Sequence, residues 1–151
     1  MKSFLTFLFH VFFMSFEEIA IFLNGRHSKG KIVEIGVGFN FKVALKLKEL
    51  GRDIIVVDWN LEAIEKAKEL GLKAYVDNIF TPNLILYRDA SVIYSIRPTP
   101  EIIKPILELG KRVKVPVYIV PFSLDTMPKS LKLENYKGIP IYFWAPYQKD
   151  I

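Results

Sequence analysis

Val33-Glu34-Ile35-Gly36-Val37-Gly38-Phe39-Asn40-Phe41 is the stretch that decides the fold of this chain. Lys31 to Ile35 reads as a short strand, and Phe41 to Leu50 carries apolar positions at helical spacing before Gly51 breaks it. Two glycines one residue apart stand between them. With no Cβ, they let the backbone turn tightly and approach a ligand closely. The helix that follows points its unpaired N–H groups into the same gap. Glycines also end strands for structural reasons alone, so the pair gains meaning only from its surroundings.

Those surroundings repeat the pattern. Ile54-Ile55-Val56-Val57 is a continuous β-branched run, as expected of a strand covered on both faces. It ends at Asp58, twenty residues beyond Gly38, where a carboxylate can accept both hydroxyls of a ribose. The plainer alternative for Asp58 is an exposed carboxylate at the start of the next helix. Asn60 caps that helix, which runs from Leu61 to Leu70 and closes at Gly71; Lys73 to Val76 is a third strand ending at Asp77. Thr81-Pro82 predicts the cap and first position of a short helical piece through Tyr87. Ser91 to Ser95 is a fourth strand. Thr99-Pro100-Glu101 opens a helix that Pro105 should kink or split and Gly110 should end. Val115 to Val120 makes a fifth strand, with Pro116 placed where no ladder donor is needed, and Ile139 to Trp144 makes a last one.

Strands alternating with helices on short loops specify a parallel sheet with right-handed crossovers. The expectation is therefore an α/β, Rossmann-like three-layer domain over residues 14–151, its mostly parallel sheet truncated after the fifth strand plus one final strand. No second domain, repeat or low-complexity tract is visible.

Composition narrows the function. A chain of 151 residues, 51% apolar, buries one core and is too short for two ordinary domains. Cysteine is absent, and His10 and His27 fit no metal-ligand spacing, so no metal site is expected. The net charge of +5 is spread along the chain. Its densest cluster, Lys111-Arg112-Val113-Lys114, follows Gly110 and complements a helix dipole, so no nucleic-acid patch is expected. Lys and Glu are abundant and Gln148 is the only glutamine, a bias of proteins from hot-growing organisms.

Phe4 to Phe13 is almost uniformly apolar. It offers no small-residue cleavage site, and it falls short of the roughly 20 apolar residues a spanning helix needs. Ser15-Phe16-Glu17-Glu18 has the form of a capping box, which predicts a helix from beside Met14 to Leu23 with Asn24-Gly25 as its stop. Residues 1–13 read as a misassigned start ahead of Met14, with an interfacial anchor as the alternative. No later segment is long and apolar enough to span a bilayer, which places the domain in the cytoplasm.

The turn leaves two cofactor classes open. A dinucleotide fingerprint wants a third glycine three positions after the second, where this chain has Phe41. Glu34-Ile35-Gly36-Val37-Gly38 resembles the acidic-x-Gly-x-Gly opening of class I S-adenosylmethionine-dependent methyltransferases, whose third glycine would fall at Asn40. Asn tolerates left-handed backbone angles and caps helices well. The resemblance implies S-adenosylmethionine as cofactor, NAD being the alternative. It puts Glu34 near the methionine end, Asp58 on the ribose, and Asp77 with Asn78 beside the adenine. More narrowly, Val33 to Asn40 together with Ile93-Tyr94-Ser95-Ile96-Arg97-Pro98 resembles the archaeal uncharacterised protein family 0146 over roughly Ser15 to Ala145. Its members look like compact domains of this type.

A reaction is harder to read. The end of the fourth strand, Ser95-Ile96-Arg97-Pro98-Thr99-Pro100, has no Asn-Pro-Pro-Tyr motif, no His or Cys and no acidic base. Tyr94 and Ser95 are candidates to orient a substrate, and Arg97 to grip an acceptor carboxylate or phosphate in a two-pronged contact. For Tyr94 and Ser95 the alternative is strand packing, and for Arg97 a surface ion pair. Tyr142, Phe143, Trp144 and Tyr147 are candidates for a pocket wall, for core, or for a homodimer contact. Three readings stand: a small methyltransferase of unknown acceptor, a non-catalytic cofactor-binding or partner subunit, and a NAD-type domain. The shortened sheet speaks against independent catalysis.

Overall fold

The computed structural model describes residues 16–122 and 127–147. Met14 and Ser15, and with them the proposed start and capping box, lie outside those residues. The chain begins with α1 over 16–26 and continues through β1 (Lys31–Ile35), α2 (Lys42–Glu49), β2 (Asp53–Asp58), α3 (Leu61–Glu69) and β3 (Lys73–Val76). A single 3-10 turn (Leu84–Leu86) leads to β4 (Ala90–Ile96), α4 (Pro100–Val113), β5 (Val117–Val120), β6 (Lys132–Tyr136) and β7 (Ile139–Trp144).

Among the described residues the strands form one seven-stranded sheet in the order β3-β2-β1-β4-β5-β7-β6. The first five strands are parallel, whereas β7 runs antiparallel to β5 and β6 antiparallel to β7. Alternation within each strand splits the apolar residues between two faces. Ile32, Ile54, Val56 and Tyr118 join α1, α2 and α3 in one core, while Val33, Ile55, Val57 and Ile119 join α4 in the other. The expected α/β, Rossmann-like three-layer architecture is present.

The expected truncation is not. β6 exists and pairs with β7 through the two-residue turn Lys137-Gly138, whose φ values of 50° and 83° give the geometry that suits strand twist. Asn135 fastens it by accepting the Gly138 N–H at 2.9 Å. β6 hides in the sequence because it is an edge strand. Its Lys-Leu-Glu-Asn-Tyr has no apolar alternation, and Leu133 is 58% exposed.

Helix ends also need correction. α4 passes through Pro105 unbroken, and Gly110 lies inside it rather than ending it. A Cβ on Gly110 would stand 2.1 Å from Val117 Cγ2, so this glycine marks close packing of α4 on β5. The helix stops at Lys114 in the left-handed conformation. Likewise α1 runs through Asn24-Gly25 to residue 26, and the helical piece after β3 is capped by Asn83, not by Thr81-Pro82. Pro116 precedes β5, where its carbonyl accepts the Ile93 N–H at 2.9 Å.

Candidate functional site

A parallel sheet gathers the loops that follow its strands along one edge, and a crevice opens there where neighbouring connections leave to opposite faces. In this chain that crevice is a cavity of about 480 Å³ walled by the C-terminal ends of β1 to β4 and the start of α4.

Gly36 and Gly38 both take positive φ, 71° and 55°. The turn is pinned to β2, because the N–H groups of Gly36 and Val37 both donate to the Val57 carbonyl, at 2.9 and 3.3 Å. Asp58 completes the clamp: its Oδ2 accepts the Gly38 N–H at 2.8 Å and its Oδ1 the Asn60 N–H at 2.9 Å. Each oxygen keeps a second acceptor position. Asn40 is not left-handed; it stands one residue before the N-cap Phe41, and its Oδ1 accepts the Lys42 N–H at 3.3 Å.

Gly36, Asp58, Asp77, Asn78 and Arg97 all line the cavity. Asp77 accepts the Asn83 N–H at 3.1 Å and also the Tyr87 hydroxyl, so its carboxylate holds the loop after β3 in shape. Asn78 Oδ1 accepts the Phe80 N–H at 3.0 Å. Arg97 occupies a left-handed φ of 50°, and its guanidinium lies 5.5 Å from the Phe16 ring and 5.8 Å from that of Phe122. Burial draws its pKa below the ordinary guanidinium value.

Glu34, Gly38, Asn40, Tyr94 and Ser95 do not line the cavity. Glu34 is 2% exposed, inside the sheet, and accepts the Tyr94 hydroxyl at 2.5 Å. Burial pushes its carboxyl up to about 8; the Tyr94 bond opposes that shift and the charge of Asp58 adds to it. Tyr94 is raised well above the phenol range, first by burial and then by Glu34. Ser95 Oγ donates to the Ile35 carbonyl at 2.7 Å. The C-terminal aromatics also lie elsewhere: Phe143 stacks on Tyr118 at 5.7 Å, Trp144 is buried, and Tyr147 is exposed.

Several cavity residues escaped the sequence reading. Trp59 and Phe80 are 80% and 60% exposed, unusual for rings of their size, yet both line the cavity with Ile79 and Tyr87. An aromatic directly after the strand-ending Asp58 was the available signal for Trp59; none marked Tyr87. Glu101 supplies the acidic group missing from residues 95–100. Its own N–H and the Thr99 hydroxyl hold its carboxyl below the usual range. Among the described residues no three His, Cys, Asp or Glu side chains cluster to hold a metal, and no helix is long and apolar enough to cross a membrane.

Sheet order and antiparallel end define a methyltransferase-like Rossmann fold. Solved structures agree on the fold. An RNA methyltransferase from Salinibacter ruber in complex with S-adenosyl-L-homocysteine superimposes with TM-score 0.60 at 13% identity, over 88% of this chain and 92% of that one. A TehB-like S-adenosylmethionine-dependent methyltransferase from Corynebacterium glutamicum gives 0.63 at 17% identity, over 86% of each. The chain itself belongs to the Uncharacterised protein family (UPF0146), which it matches over residues 16–145. A relative in that family from Pyrococcus horikoshii is 54% identical over 129 residues, 85% of this chain and 98% of the relative.

Proposed function

We propose that the chain binds S-adenosylmethionine in the cavity at the C-terminal edge of β1 to β4 and acts as a small methyltransferase. One observation carries this reading: the Asp58 carboxylate, bonded to Gly38 of the glycine turn, borders a cavity large enough for an adenosyl group while keeping acceptor positions for two ribose hydroxyls. The base would then lie toward Asp77 and Asn78, and the methionine end toward the turn and β4. Buried Glu34 would not touch the cofactor but join β1 to β4 behind the turn through its bond with Tyr94. An acceptor would enter beside Arg97. NAD fits less well, because the position of a third glycine, which close helix–strand packing in a dinucleotide fingerprint wants, holds Phe41, whose ring is buried in the core.

A second reading, a cofactor-holding subunit without turnover of its own, draws support from Tyr94 and Ser95. Both hydroxyls are committed inside the sheet and neither reaches an acceptor. The complete β6–β7 hairpin, in turn, removes the shortened sheet as an argument against catalysis. Calorimetric titration with S-adenosylmethionine, S-adenosylhomocysteine and NAD tests the cofactor, and a methyl-transfer screen on any ligand-bound form separates the two readings.

A further inference from the structure

The two ends of the cavity differ. Toward β3 the wall is made of Trp59, Ile79 and Phe80, the flat apolar surface a purine needs. Toward β4 it carries Arg97, Thr99 and Glu101, and among the described residues Arg97 is the one cation that lines it. A cation and an anion thus stand at one end, and aromatic surface at the other. β2 and β4 flank β1, so their ends are two strand spacings apart, about 10 Å. The homocysteine chain of a cofactor whose ribose is held by Asp58 covers a comparable length and delivers its α-amino-acid head to β4.

Each charge has its own support. The Arg97 guanidinium stands between the rings of Phe16 and Phe122, at 5.5 and 5.8 Å, and the Arg97 N–H donates to the Val120 carbonyl at 2.7 Å. Glu101 lies in the first turn of α4, where its own N–H and the Thr99 hydroxyl keep its carboxyl below the usual range and therefore ionised at neutral pH. A purely anionic ligand would be repelled by Glu101 and a purely cationic one by Arg97. A zwitterion suits both: its carboxylate matches the fork of a guanidinium, and its ammonium group donates to a carboxylate.

We propose that Arg97 and Glu101 read the α-amino-acid head of the bound cofactor, Arg97 taking its carboxylate and Glu101 its ammonium group, so that affinity depends on that head and not on the nucleoside alone. The inference rests on the adenosyl-cofactor reading above and deepens it. Arg97 then serves the cofactor, and the acceptor passes beside it. The methionine end, which the family resemblance gave to Glu34, falls instead to the β4–α4 junction, because Glu34 is buried and does not line the cavity.

The test is calorimetry on the full chain with S-adenosylhomocysteine, its decarboxylated analogue, and 5′-methylthioadenosine, which keeps the nucleoside and thioether but lacks the head. S-adenosylhomocysteine should bind about thirtyfold or more tighter than 5′-methylthioadenosine, through one two-pronged contact and one exposed, screened one. Arg97→Gln should reduce that ratio about tenfold and Glu101→Gln about threefold, each leaving the affinity for 5′-methylthioadenosine unchanged. The decarboxylated analogue should bind more weakly to Glu101→Gln but not to Arg97→Gln; the reverse overturns the assignment. Binding of S-adenosylhomocysteine and 5′-methylthioadenosine within about threefold of each other overturns the inference and leaves the cofactor site standing. An unchanged ratio in either variant, or a loss shared equally by the two compounds, overturns it as well, since the residue would then shape the cavity without reading the head. If no compound binds, the cofactor reading fails and this inference falls with it.

Discussion

Asp58 Oδ2 accepts the Gly38 N–H at 2.8 Å, joining the end of β2 to the glycine turn twenty residues earlier in the chain. The bond fixes the turn before any ligand arrives, since a carboxylate accepting two backbone N–H groups holds both ends of the β1–β2 edge. Asp58→Ala should therefore cost about 1 kcal/mol of stability even without ligand, chiefly by leaving the part-buried Gly38 N–H without its acceptor, since water reaches the exposed Asn60 N–H. Asp58→Asn, which keeps one acceptor oxygen, should cost less. Urea unfolding of the three proteins, with amide exchange at Gly38, checks this; equal stability of all three would show that the clamp does not hold the turn.

Glu34 gives the fold a pH signature. Its carboxyl is raised from 4.5 to about 8 by burial, so the folded chain binds a proton that the unfolded chain has already released above about pH 4.5. This contribution to stability is complete below pH 4.5 and is lost progressively as the pH climbs through about 8, a change of a few kcal/mol. Glu34→Gln removes the titrating group and should flatten that part of the curve. Unfolding free energy of both proteins from pH 5 to 9 is the measurement. Parallel curves would mean that Glu34 stays ionised.

Two helical glycines make a matched pair. Gly110→Ala drives a methyl to within 2.1 Å of Val117 Cγ2 and 3.0 Å of the Val115 carbonyl, and should destabilise by about 1–3 kcal/mol or more as α4 is pushed off β5. Gly25→Ala meets nothing within 4 Å in α1 and should be neutral or stabilising by about 0.5–1 kcal/mol. Thermal unfolding of both substitutions reads the contrast directly.

These residues also divide what the sequence discloses from what it conceals. The strand–turn–helix around Gly36 and Gly38, the buried run into Asp58 and the alternation of strands and helices are local patterns, and they were enough to place the cavity edge. β6 was not legible, because an exposed edge strand needs no apolar alternation; only Lys137-Gly138 ahead of Ile139 hinted at a hairpin. Gly110 looked like a helix end because a contact with Val117 leaves no trace in local sequence. Glu34 was readable as an acidic residue at a strand end, but its burial against Tyr94, sixty residues away, depends on β1–β4 register. The same distance effect hid Tyr87, whose hydroxyl finds Asp77 only after the loop has folded back.

The most direct test is calorimetric titration of the full chain and of Asp58→Ala with S-adenosylmethionine, S-adenosylhomocysteine and NAD. The cavity and its Asp58–Gly38 clamp predict binding of the first two at about micromolar concentration, weakened about a hundredfold or more in Asp58→Ala, with NAD much weaker. No binding of either sulfur compound, or binding that ignores the loss of Asp58, would contradict the account and leave the glycine turn a structural feature of the fold.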